Sequence, residues 1–377
     1  MVSDMKQKRI AMFGHKRIPS REGGVEIVVQ QLCTRMAGLG HAVTCWNRRG
    51  HHVSGAGFDG EALDSFQGVR LRHVPTVDKK GLAAVSSSFF AALGSAFSGA
   101  DVVHIHAEGP ALMCWLPKLA RKRVIVTVHG LDWQREKWKH GFGGKYIRWG
   151  ENAAVRFADR IIVLSRNVQR YFLDTYGVET VYIPNGVERP VPRPPERIRQ
   201  LGLEKDGYVL FLGRLVPEKG ISRLVEAFRG VNTGKKLVIA GGSSDTEDFV
   251  EMLKQQAAGD ERIVLTGFVE GRLLEELYSN AYLYVLPSDL EGMPLSLLEA
   301  MSYGNCCLVS DIPECAEVVE DRAVTFPRGD TRALGEALQR LCDDPELTAR
   351  YKAGAADFIC EKYNWDDVTR KTLELYQ

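Results

Sequence analysis

Among the 377 residues no stretch is apolar enough to be read as a membrane span. The longest uncharged run, Gly81 to Ala100, consists mostly of Ala, Ser and Gly, short of the roughly 20 strongly apolar residues a spanning helix needs; it reads as a core helix and its connection. A secretory signal is not expected either, because Met1 to Arg9 is polar and runs directly into a strand pattern. The eight cysteines form no CxxC pair and have no histidines at zinc spacing, so reduced, mostly buried thiols in a cytosolic protein are expected. Repeats and low-complexity segments are absent, and so is the three-glycine dinucleotide fingerprint. Little net charge remains, only +1, but it is unevenly spread. Residues 1 to 200 carry 30 Lys and Arg against 17 Asp and Glu, while residues 201 to 377 carry 19 against 31. The first half should therefore be drawn to anionic surfaces. No nucleic-acid recognition motif accompanies that charge, so nucleic acid is not expected as a partner.

What is present is alternation. Short β-branched runs and helical patterns succeed one another from end to end, which predicts an α/β fold with parallel sheets and crossover helices. The first half holds "RIAMFG", "AVTCW", "VRLRHV", "DVVHIH", "RVIVTV", "RIIVL" and "TVYI". After the Pro-rich "ERPVPRPPERI" the pattern restarts with "YVLFLG", "KLVIAG", "RIVLTG", "AYLYVLP", "NCCLVS" and "AVTF". Two doubly wound, Rossmann-like domains are expected, over residues 1–187 and 199–361, with a linker at 188–198. The tail, residues 362–377, reads as a helix crossing back to the first domain. Ligands of such sheets bind beyond the carboxyl ends of their strands, so the expected site is a cleft that the two domains face.

Three stretches carry candidate chemistry. In "EGMPLSLLEAM", Pro294 can begin a helix whose buried stripe is Leu295, Leu298 and Met301. Glu291 then stays in the preceding loop, and Glu299 lies roughly one and a half turns inside. Between them the N–H groups of Leu295 and Ser296 offer partial positive charge to a phosphate, and the two carboxylates can accept hydroxyl hydrogen bonds. A nucleotide sugar has those groups. After the first strand, Gly23 and Gly24 precede an apolar-periodic helix and allow backbone amides close to a ligand. After the first strand of the second half, "GRLVPEKG" places Arg214 and Lys219 where two cations could neutralise a departing diphosphate. Strands also end at His129, near Asp132, at His106 and at Ser165; of these His129 is the candidate for touching substrate, and His106 and Ser165 are expected to be structural.

In this order the motifs resemble the GT-B glycosyltransferases, and more narrowly the retaining family-4 type. "YIPNGV" and "SDIPECAEVV" extend the match over nearly the whole chain, and "GHKRIPSREGGVE" looks like a subset acting in bacterial surface-polysaccharide assembly. The resemblance implies that Arg214 and Lys219 clamp the diphosphate and that Gly23 and Gly24 approach the phosphates or transferred sugar. It further implies that Glu299 holds the ribose, that Glu291 with Gly292, Met293, Pro294, Leu295 and Ser296 meets the donor, and that the backbone from Gly267 to Val269 faces the base. His129 would contact the donor sugar or leaving oxygen. No carboxylate nucleophile stands out, in keeping with same-face transfer in which the leaving phosphate helps deprotonate the acceptor. The chain has no D-x-D triplet, by which another glycosyltransferase class holds a divalent ion, so neither a metal nor another cofactor is expected.

Basic and aromatic residues interleave in "LDWQREKWKHGFGGKYIRW", Leu131 to Trp149, a composition suited to an anionic membrane surface. The expected partners are a UDP-, GDP- or dTDP-type sugar donor, a glycan or lipid-linked sugar acceptor and that membrane surface, with the protein cytoplasmic and peripheral on the inner face of the cell membrane. Two other readings stay open: a nucleotide-sugar epimerase of the same fold and a non-catalytic nucleotide-sugar-binding protein.

Overall fold

The computed structural model describes residues 6–50, 63–77, 79, 81–139, 141–242 and 246–377, with backbone only for Lys137 and Lys139. The chain divides into two compact units. One runs to Asn185 and includes Trp365–Gln377; the other is Gly186–Asn364.

The first unit is built on eight strands: β1 Arg9–Phe13, β2 Ala42–Arg48, β3 Ser65–Phe66, β4 Val69–Val74, β5 Val102–His106, β6 Arg123–Val128, β7 Arg160–Val163 and β8 Val181–Tyr182. They lie in the order β3-β4-β2-β1-β5-β6-β7-β8. All pairs are parallel except β3 with β4, a hairpin that the alternating pattern does not predict. Its turn residues, Gln67 and Gly68, both take positive φ, 45° and 81°, as a tight two-residue hairpin turn requires. The Val- and Ile-rich central strands are buried along nearly their whole length, because a parallel sheet is covered on both faces. Phe13, Ile105, Val126 and Phe172 share its core.

The C-terminal helix, Trp365–Glu374, belongs to this unit. Arg35 pairs with Asp366 at 3.0 Å, the Arg123 guanidinium donates to the Leu375 carbonyl at 2.7 Å, and the Tyr376 hydroxyl meets His104 Nδ1 at 2.6 Å. Trp365 and Tyr376 are buried.

In the second unit β9 Tyr208–Leu212, β10 Lys236–Ala240, β11 Ile263–Gly267, β12 Leu283–Leu286, β13 Cys307–Ser310 and β14 Val324–Phe326 form an all-parallel sheet ordered β11-β10-β9-β12-β13-β14. The Pro-rich segment is a fixed part of this unit rather than a free tether. Arg193 pairs with Glu275 at 2.7 Å, and the fully buried Glu276 carboxylate accepts the N–H groups of Glu196 and Arg197 at 2.9 and 2.6 Å. A buried carboxylate must find donors, and here the segment supplies them.

Each sheet is wound in both directions from its first strand, so strand order reverses at β1/β5 and at β9/β12. Crevices at such reversals are where doubly wound sheets hold ligands. Among the described residues no helix is long and apolar enough to cross a membrane.

Candidate active site

In the second unit the reversal places the loop after β9 beside the loop after β12. Gly220 holds φ at 68°, and a Cβ there would stand 2.1 Å from the Pro287 carbonyl oxygen, so only glycine allows the loops this close. The Asp289 N–H donates to the Glu218 carbonyl at 2.8 Å. Lys219 is thereby delivered to Glu291, 72 residues away, with Nζ 2.6 Å from Oε1 and the side chains 12% and 8% exposed. The Ser288 hydroxyl donates to the same oxygen at 2.6 Å. Arg214, half-buried, lies in the same β9 loop. Two residues expected to act separately on a ligand thus form an ion pair, and Ser288 joins them without any sequence signal beyond its nearness to Glu291.

The helix that follows is Leu295–Ser302, with Pro294 as its N-cap. Leu297 and Leu298 return their N–H groups to the Pro294 carbonyl at 3.1 and 3.2 Å, so those of Leu295 and Ser296 precede the ladder. Gly292, Met293 and Leu295 are buried, Glu299 half-buried. The Tyr278 hydroxyl donates to Glu299 at 3.1 Å while its ring stacks on Tyr303 at 5.3 Å, and the Tyr284 hydroxyl meets Ser296 Oγ at 2.8 Å. These tyrosines are invisible to periodicity, because they read as ordinary core residues. Gly267, at φ 71°, ends the edge strand β11, and the buried Val269 follows, two strands from β9 but at the same carboxyl edge.

The other candidates lie in the first unit. Gly23 caps the helix Gly24–Gly38 in an extended conformation, φ −160°, which any residue can adopt; what limits a side chain there is the Glu26 carboxylate, 2.5 Å from a built Cβ. The buried Glu26 accepts the Lys16 N–H at 2.8 Å. His106 Nδ1 stands 3.0 Å from His129 Nε2, and the His104 and His106 rings stack at 4.2 Å. Burial pushes His129 down to about 4, against the upward pull of Asp132 and Glu26, and His104 down to about 3. His129 is therefore neutral at pH 7, able to offer hydrogen bonds but not a charge. His106 thus supports His129 through that contact, and its buried Nε2, like His15 Nδ1, has no protein partner among the described residues. Ser165 caps the helix Arg166–Tyr176, accepting the Val168 N–H at 3.2 Å, as a structural residue does.

The loop carrying His129 rests on two buried carboxyl groups. The Asp132 N–H donates to Glu108 at 2.8 Å, and Glu108 is hydrogen-bonded to Glu151, which also accepts the Tyr171 and Tyr176 hydroxyls at 3.1 and 2.6 Å. Burial, and then the neighbouring Glu151, push Glu108 well above the usual carboxyl range; Oε1 of each glutamate finds no donor among the described residues, the arrangement expected of two carboxyls that share one proton. The histidines predict the acid limb of stability. The unfolded chain binds their protons near pH 6.5 and the folded chain only far below, so the melting temperature should fall as pH drops from about 6.5 toward 4. Melts of the wild type and His106→Asn across that window check this; equal slopes would contradict it.

Residues 22–189 match the Glycosyltransferase Family 4 model and residues 194–358 the Glycosyl transferases group 1 model. A phosphatidyl-myo-inositol mannosyltransferase from Mycobacterium leprae is 30% identical over 287 residues, 74% of this chain and 73% of the relative. The chain belongs to the family-4, group 1 glycosyltransferases. An alpha-maltose-1-phosphate synthase from Mycolicibacterium smegmatis is 27% identical over 396 residues, 98% and 99% of the two chains. Among solved structures, a sucrose-phosphate synthase from Thermosynechococcus elongatus superposes with a TM-score of 0.82 at 22% identity over 98% of each chain. The glycosyltransferase has the GT-B fold, with Arg214, Lys219 and Glu291 at the reversal of its second sheet and the other candidates after strands of the same sheets.

Proposed function

We propose that this glycosyltransferase moves a sugar from a nucleotide diphosphate donor to an acceptor with retention of anomeric configuration and without a metal ion. The carrying observation is the pairing of Lys219 with Glu291 at the β9/β12 reversal, one helix start away from Glu299. Arg214 and Lys219 would neutralise the diphosphate as it leaves, Glu291 would accept hydroxyls of the donor sugar, and Glu299, steadied by Tyr278, those of the ribose. Gly267 to Val269 would face the base, Gly23 and Gly24 the phosphates or transferred sugar, and neutral His129 a hydroxyl or the leaving oxygen. Catalysis then rests on positioning and charge stabilisation. The acceptor in this reading is a lipid-linked glycan intermediate of bacterial polysaccharide synthesis, met by a cytoplasmic protein held peripherally at the membrane. Supporting it are the basic first half and the relative named as a phosphatidyl-myo-inositol mannosyltransferase; the cysteines, all free, suit a reducing compartment.

Thermal shifts with UDP-, GDP- and dTDP-sugars test the donor class, since a ligand at a hundred times its Kd adds about 2.7 kcal/mol. Glu299→Ala should abolish the shift that the wild type shows, through loss of about 1.5–3 kcal/mol of charge-assisted hydrogen bonding. Ser165→Ala should retain it. No shift with any donor, or equal shifts in both variants, removes the assignment.

A further inference from the structure

The helix Leu82–Phe97 is inverted. The side chains it buries are small: Ser87, Ser88, Ala91, Ala92, Ser95 and Ala96. Its serines turn their hydroxyls back to the helix's own carbonyls, Ser87 to Ala83 at 2.7 Å and Ser88 to Ala84 at 2.6 Å. At 100° per residue Leu82, Phe89, Phe90, Leu93 and Phe97 fall in one arc on the other side. Leu93 is half-buried and the rest are exposed, Phe97 by 84%. The expected core helix is thus anchored by its small residues and shows its large ones to the outside, because close packing demands it: a Cβ on Gly94 would meet the Trp46 ring at 2.4 Å. Beside it the short helix Trp115–Leu119 adds exposed Trp115 and Leu119.

Charge on the segments of this face is basic, with Lys118 already paired to Asp159 at 2.5 Å. Residues 79–100 and 109–131 contain six Lys and Arg and no Asp or Glu. Lys122 reaches the Ser98 carbonyl at 3.0 Å, one residue past Phe97, and Arg121 is exposed. A second copy docked through this face about a twofold axis would set these cations against themselves, whereas anionic headgroups complement them. By contrast, the basic aromatic stretch Leu131–Trp149 is largely structural. Trp133 lies 4.1 Å beneath Arg148, Trp138 closes over Gly143, and only Phe142 and Trp149 are exposed among its large apolar side chains.

We propose that the face formed by Leu82–Phe97 and Trp115–Leu119 docks on a bilayer rich in anionic lipid, its phenylalanines at the acyl boundary and Arg121 and Lys122 among the headgroups. The inference rests on the peripheral-membrane reading above and locates its surface. The test is co-sedimentation at low salt with vesicles of phosphatidylglycerol and phosphatidylcholine, or of phosphatidylcholine alone. Wild type should be retained by the anionic vesicles only. Phe89→Ser/Phe97→Ser should bind about tenfold or more weakly, given the apolar area removed, with unchanged melting temperature and unchanged donor-induced thermal shift. Arg121→Glu/Lys122→Glu should likewise be released. Retention of both variants, alongside release of Phe142→Ser/Trp149→Ser, moves the contact elsewhere and overturns this assignment alone. Failure of wild type to bind any vesicle overturns the membrane reading with it, and the donor shift remains an independent measurement. A wild-type dimer in sedimentation equilibrium that Phe89→Ser/Phe97→Ser converts to monomer gives the face to a second copy and also overturns the proposal.

Discussion

Lys219→Ala should lower kcat/KM for donor-dependent transfer by about 10²–10³-fold, the usual cost of removing one preorganised electrostatic contact to developing charge. It should also destabilise the second unit, because the Glu291 carboxylate would stay buried with the Ser288 hydroxyl on it but without the Lys219 ammonium that balances its charge. Breaking one side of a buried pair costs about 3–5 kcal/mol. The two effects can be separated. Glu291→Gln in the Lys219→Ala background removes the stranded charge and should recover most of the lost melting temperature, since a buried pair replaced as a whole is often neutral. Activity should not return, because the Lys219 ammonium is still missing from the diphosphate clamp and Arg214 is left to act alone. Calorimetry and nucleotide release on the two variants check this; if activity returned with stability, Lys219 would be a folding residue and nothing more.

That coupling also marks how far the sequence could be read. The strands were legible because Val- and Ile-rich runs such as "RVIVTV" and "KLVIAG" have few alternatives to a buried parallel strand. Candidate polar residues were legible where they follow such a strand, as Arg214, Lys219 and His129 do. Their partners were not. Lys219 meets Glu291 only because β9 and β12 are neighbours, and His129 meets His106 only because β5 and β6 are, so both pairings follow from sheet order rather than from spacing. The helix Leu82–Phe97 shows another limit. Periodicity separates its Ser/Ala side from its Phe/Leu side, but the usual rule would bury the phenylalanines, and the tight approach of Trp46 to Gly94 reverses it. Glu108 gave no signal because a carboxyl kept neutral by burial looks, in sequence, like any surface glutamate.

Glu108 offers the sharpest test of its buried pairing with Glu151. Glu108→Ala leaves the Asp132 N–H without its acceptor and Glu151 without its carboxyl donor, both in the interior, at an expected cost of about 3 kcal/mol. Glu108→Gln should be almost silent near pH 5, because an amide can donate to Glu151 and accept from Asp132 as the protonated acid does. The sign of the pH effect follows from the raised affinity. The folded chain holds this proton well above the ordinary 4.5 at which the unfolded chain releases it, so its contribution is whole below about pH 4.5 and is lost as pH climbs toward the folded value. Glu108→Gln removes that loss, and its melting temperature should overtake the wild type's as pH rises from 5 to 9, while Glu108→Ala stays below both. The His129 loop stands on this pair, so transfer by Glu108→Ala should fall with it and transfer by Glu108→Gln should hold. A Gln variant as unstable as the Ala variant, or one with the wild type's pH slope, would mean that Glu108 is ionised and that its proton does not hold the loop.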